Sequence, residues 1–162
     1  MYMRDKYFFL SNFYPCDVYY RGLHFNSAEA AFQSQKCPER MNEFAHLKAL
    51  QAKRLGRKVQ LRLDWENVKI GIMYEVVYSK FRNETLANML VNVDEPIVEH
   101  NNHNDRFWGV CRGKGSNYLG IILTRVRDEI MINRGQPISL HIDFSTAPES
   151  IKRVMCITKE DF

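Results

Sequence analysis

Apolar side chains recur every three to four residues over 64–82, at Trp65, Val68, Ile72, Met73, Val76, Val77 and Phe81. That spacing gathers them on one stripe and predicts an amphipathic helix. A second stripe, Leu119, Ile122, Leu123, Val126, Ile130 and Met131, predicts a core helix over 117–133, ended by Gly135-Gln136-Pro137. Helices are also predicted over 41–55, broken at Gly56, and over 83–91.

Between these, 8–13 and 17–25 read as extended, with Tyr14-Pro15 as a turn and Arg21-Gly22 as a hairpin turn. Asn26 reads as the N-cap of a helix that runs to Lys36 and stops before Cys37-Pro38. Ile97 and Val98, after Pro96, predict a short buried strand. In the tail, Ile138, Leu140, Ile142 and Phe144 alternate with polar residues, as in a half-exposed strand, and 145–155 reads as a short helix. The expectation is an α+β fold: a helix-rich single domain with a small, mainly antiparallel sheet. It assigns 1–134 to the domain and 135–162 to a strand and helix extension packed on it.

A chain of 162 residues is long enough for one such domain with a substantial core. A net charge of +4 suits anionic ligands but does not by itself announce nucleic acid, whose binders usually show a denser basic patch. Cys16, Cys37, Cys111 and Cys156 form no C-x-x-C pair, which argues against zinc ribbons and redox motifs. The start M-Y-M-R-D-K has no apolar leader, and no run reaches membrane-spanning length. The simplest expectation is a cytoplasmic protein with reduced thiols and no membrane contact.

Two segments carry candidate chemistry. The first is F-N-S-A-E-A-A-F-Q-S-Q-K at 25–36. Its single acid, Glu29, has the spacing of a capping-box partner for Asn26, and a carboxylate there also suits the helix dipole. It also reads as an acid or base sharing a face with Gln33 and Lys36, beside Phe32, although such a polar stripe reads more simply as a solvent-exposed face. The second is E-H-N-N-H-N-D-R-F-W-G-V-C-R-G-K-G-S-N-Y-L at 99–119. Asp105 there is either a turn cap or a site acid, and Trp108 either core or a stacking plate. Gly113, Lys114, Gly115 and Asn117 precede a helix, where backbone N–H groups and a lysine suit a phosphate. A plain turn is the alternative, and neither a P-loop nor a dinucleotide fingerprint is present. His100 and His103 form H-x-x-H without the further ligands that zinc needs.

Taken together, these segments resemble the YbiA-like, or NADAR, family. The resemblance rests on F-L-S-N-F-Y-P at 9–15, F-N-S-A-E-A-A-F-Q-S-Q-K at 25–36 and A-K-R-L-G-R at 52–57. D-W-E-N-V-K at 64–69, K-F at 80–81 and the block at 97–122 add to it. The resemblance implies an N-glycosidase that cleaves the bond between a phosphorylated ribose and a base-like group, without metal or redox cofactor. The implied substrates are phosphoribosylated intermediates of riboflavin synthesis or ADP-ribosylated guanine in nucleic acid. It implies Glu29 as catalytic acid/base, with Asp105, Trp65 and Trp108 as further site residues. Asn12 and Phe13 of the first motif, and Lys36 of the second, join them as substrate-binding positions. Ala30 and Ala31 stand where the family usually has bulkier residues. A non-catalytic ADP-ribose or nucleotide-binding module is the competing reading.

Overall fold

A computed structural model describes residues 2–136. Five α-helices, α1 (Ala28–Ser34), α2 (Ala49–Gly56), α3 (Trp65–Lys80), α4 (Glu84–Val91) and α5 (Tyr118–Asn133), dominate it. Strands β1 (Val18–Tyr20) and β2 (Leu23–Phe25) pair antiparallel, with Val18 opposite Phe25. Strands β3 (His100–Asn101) and β4 (Val110–Cys111) pair parallel. This is the expected helix-rich α+β domain, with one antiparallel and one parallel pair in place of a single small sheet.

The expected hairpin turn is present. Arg21 and Gly22 have φ of 48° and 80°, the left-handed pair that a tight two-residue hairpin requires. Helices α3 and α5 follow their predicted stripes. Ile72, Met73, Val76 and Val77 of α3 and Leu119, Ile122, Leu123 and Val126 of α5 are all buried, and the two helices pack together. Helix α4 starts where Asn83 accepts a hydrogen bond from the Leu86 amide at 3.1 Å.

Four expectations are corrected. The segment 8–13 is not extended: Asp5–Leu10 forms a 3-10 helix. Phe9 and Leu10 are both buried, and adjacent side chains cannot share one face of a strand. The N-cap of α1 is Ser27, whose hydroxyl accepts from the Ala30 amide at 3.1 Å, while Asn26 is exposed. The expected helix over 41–55 is two elements, a 3-10 helix at Pro38–Phe44 and then α2. Lys48 is extended between them, its amide held by Gln51 Oε1 at 2.9 Å, and α2 starts afresh there. Ile97 and Val98 form no strand. Ile97 is buried, but its carbonyl is taken by the Asn117 side chain at 3.0 Å. The tail readings over 138–155 lie outside the described residues.

Lys80, at the end of α3, is completely buried. Burial lowers its pKa to about 8. Its ammonium donates to the Ser11 carbonyl at 2.8 Å and lies over the Tyr14 and Phe81 rings. Asn12 Nδ2 reaches Met73 Sδ at 3.2 Å. These contacts tie the 11–14 loop to α3, and that loop is one wall of the site.

Candidate active site

Every residue of α1 is buried, including Glu29, Gln33 and Ser34. The polar stripe Glu29, Gln33 and Lys36 is therefore not a solvated face. It lines a cavity of about 450 Å³ whose other walls come from the 11–13 loop, α2, α3 and the 99–108 loop. Asn12, Phe13, Trp65, Asp105 and Trp108 line it too, as do Phe32, Lys53, Lys69, Glu99 and Phe107.

Glu29 sits one position too early to close a capping box, because Ser27 is the cap. Its amide donates to the Asn12 carbonyl at 2.9 Å, which links α1 to the opposite wall. Its carboxylate accepts from Gln33 Nε2 at 2.9 Å. Burial pushes the Glu29 pKa up, opposed by Lys53, by the Gln33 hydrogen bond, and by Lys36 and Arg57. The result is a desolvated carboxyl facing basic groups, an environment suited to a proton-transfer group.

Asp105 is both cap and wall. Its Oδ1 accepts from the Phe107 and Trp108 amides at 3.0 and 2.9 Å. Its own amide and carbonyl are paired with the Asn101 side chain. Asp105 thereby sets the turn that delivers the aromatic wall. Trp108 meets Phe32 edge to face at 5.5 Å, and Phe32 meets Trp65 at 5.1 Å. Such packing fixes ring planes against which a flat group can stack.

Each of three lysines approaches a ring: Lys36 over Trp65, Lys53 over Phe13 and Lys69 over Phe107, at 5.8, 5.1 and 4.0 Å. Burial lowers the Lys36 pKa, and Glu29 opposes that shift.

The glycine loop lies elsewhere. Gly113, Lys114 and Gly115 are exposed and do not line the cavity. The turn is closed on itself by Cys111–Lys114 backbone bonds. Asn117 adopts a left-handed conformation, and its side chain is spent on the Glu99 amide and the Ile97 carbonyl. It borders a separate, largely apolar groove of about 660 Å³ beside Ile97, Gly120 and Ile121. Ala30 and Ala31 are fully buried in the core and do not touch the cavity either. His103 lines the cavity, whereas His100 lies in β3 against the Tyr2 ring. Among the described residues, no group of three His, Cys, Asp or Glu side chains is placed to hold a metal.

Sequence reading gave no site role to Glu99 or Lys53. Glu99 opens the polar block that ends in Asp105 and Trp108, and Lys53 belongs to A-K-R-L-G-R at 52–57. Both signals were on the chain, but only packing of α2 and of the 99–108 loop against α1 turns them inward.

Carboxylates, ring planes and lysines surround one cavity of a small α+β domain. The chain belongs to the NADAR domain family, whose model matches residues 1–131. It is 32% identical to the N-glycosidase YbiA of Escherichia coli, over 80% of this chain and 86% of that protein. It is 33% identical to an N-glycosidase of Nostoc punctiforme, over 74% of this chain and 83% of that protein. A riboflavin biosynthesis protein of Vibrio vulnificus is 34% identical over 86% of this chain. The chain spans 40% of that protein, and 14% of a riboflavin biosynthesis protein of Zea mays that it also matches. The solution structure of Escherichia coli YbiA superposes with a TM-score of 0.73 at 29% identity, covering 88% of this chain and 89% of that one. The relatives that the chain matches over most of their own length are named N-glycosidases. Among the described residues, no helix is long and apolar enough to cross a membrane.

Proposed function

We propose that this chain hydrolyses the N-glycosidic bond between a phosphorylated ribose and a base-like group. The observation that carries the proposal is Glu29: a buried carboxylate, raised in pKa, inside a cavity shared with two tryptophans and three lysines. Rupture of such a bond builds positive charge at the ribose C1. Glu29 stabilises that charge and takes the proton of the attacking water. Asp105, fixed by two amides, is a rigid partner for the ribose hydroxyls. Trp65 and Trp108 offer faces for the leaving ring, and Lys36 and Lys53 supply charge for the phosphate. The phosphate role thus moves from the glycine loop to the cavity lysines.

The names of two relatives point to riboflavin biosynthesis, and the resemblance suggests its phosphoribosylated intermediates or ADP-ribosylated guanine in nucleic acid. A cavity of about 450 Å³ lies within the range of small-molecule sites. The test is incubation with each substrate type, read by mass spectrometry. Release of a free base from either one supports the proposal. Saturable binding of both without release of base would favour a nucleotide-binding module and contradict it.

A further inference from the structure

Glu99 lines the same cavity as Glu29 and Asp105. Its backbone is fixed on three sides. Its amide donates to Asn117 Oδ1 at 2.9 Å, and its carbonyl accepts from the Val110 amide at 2.7 Å. Gly109 packs so close that a Cβ there would stand 2.4 Å from the Glu99 carbonyl oxygen and 3.2 Å from its Cβ. The side chain ends in Oε2, which is buried and has no hydrogen-bond partner. A bare carboxylate oxygen costs more in such a place than a neutral carboxyl, whose O–H stays free for a substrate acceptor.

The charges around it favour the neutral form. Burial, then Asp105, push the Glu99 pKa up to about 7, with Glu29 adding and Lys53 opposing. His103, Lys36 and Lys69 complete the titratable lining. Glu99 therefore carries its proton at neutrality far more often than an ordinary glutamate. Two carboxyls in one cavity with different environments divide naturally into an acid and a base.

We infer that Glu99 is the general acid of the reaction, delivering its proton to the leaving nitrogen. This rests on the N-glycosidase reading. As the C1–N bond breaks, its electron pair goes to nitrogen, which takes the Glu99 proton. Water adds to C1 and gives its proton to Glu29. Solvent then returns a proton to Glu99 and removes one from Glu29. The sum is substrate plus water giving ribose phosphate and free base.

The test compares two substrates. In one, the leaving nitrogen must be protonated, as in a phosphoribosylated ring amine. In the other, a pyridinium riboside phosphate, nitrogen is already cationic and leaves as a neutral base. Glu99→Gln should lose about 10²–10⁴-fold in kcat on the first and far less on the second. Wild type should show an alkaline limb in its rate–pH profile near the Glu99 pKa on the first substrate only. That second measurement needs no variant and does not depend on how Glu99→Gln folds. Equal losses on both substrates, no loss on either, or the same limb on both would overturn the assignment. Wild type cleaving the pyridinium substrate alone would do so too. If wild type cleaves neither, the N-glycosidase reading falls and takes the assignment with it.

Discussion

Gln33 Nε2 donates to Glu29 Oε1 at 2.9 Å, and the far side of that carboxamide rests on Gly56 of α2. A Cβ at Gly56 would stand 2.0 Å from Gln33 Oε1. Helix α2 thus approaches α1 closely enough to hold Gln33 against Glu29, and a glycine makes the approach possible.

Gly56→Ala should therefore push Gln33 aside and weaken its hold on Glu29. The expected outcome is a loss of about 1–3 kcal/mol in stability, the usual cost of overpacking, together with reduced turnover. Adding Gln33→Ala removes the overlap, so the double variant should regain stability but not activity. Urea melts and turnover on the four proteins of this cycle check it. Additive losses in stability would show that the two residues do not meet.

Glu29→Gln should leave the fold intact and cut turnover by about 10²–10⁴-fold. A neutral carboxamide removes a desolvated charge, so the thermal midpoint should not fall. Near wild-type turnover would reduce Glu29 to a structural residue of α1.

Stability should depend on pH through Glu99. Its pKa is raised to about 7 in the fold, against 4.5 for an ordinary glutamate. The folded state then holds the proton more tightly than the unfolded chain. The stability this contributes is present below about 4.5 and is lost as pH rises through about 7, on the order of 3 kcal/mol in all. Glu99→Gln lacks that dependence, so it should gain on wild type between pH 4 and pH 8. Urea unfolding of both at the two pH values measures it. A constant difference would place Glu99 in an ordinary solvated setting.

Lys36→Ala and Lys53→Ala should each raise KM for a phosphorylated substrate roughly tenfold or more, the scale of a lost charge-assisted hydrogen bond. The dephosphorylated analogue should be less affected. Lys114→Ala should change neither, because Lys114 is exposed outside the cavity. Selective loss in the Lys114 variant would return the phosphate to the glycine loop.

The sequence made the helices legible wherever one face alone meets the core, as in the stripes of α3 and α5. It failed where burial is not periodic. Helix α1 is buried all round, so its polar residues looked like a solvated stripe until α2, α3 and the 11–13 loop closed over them. Glu29, Asp105, Trp65 and Trp108 stood out by type and motif, and the fold brings them to one cavity. Glu99 and Lys53 did not stand out, since only the tertiary fold makes them neighbours of Glu29. The glycine loop lies outside this cavity for a related reason. Its N–H groups looked available, but Asn117 is occupied in fixing 97–99 and the loop turns outward.

The most direct test of the central claim is base release by wild type and Glu29→Gln from one phosphoribosylated substrate, followed by mass spectrometry over time. The account predicts free base and ribose phosphate in equal amounts from wild type. From the variant it predicts intact, bound substrate with release slowed at least about a hundredfold. Equal release by the two proteins, or binding by wild type with no base set free, would contradict it.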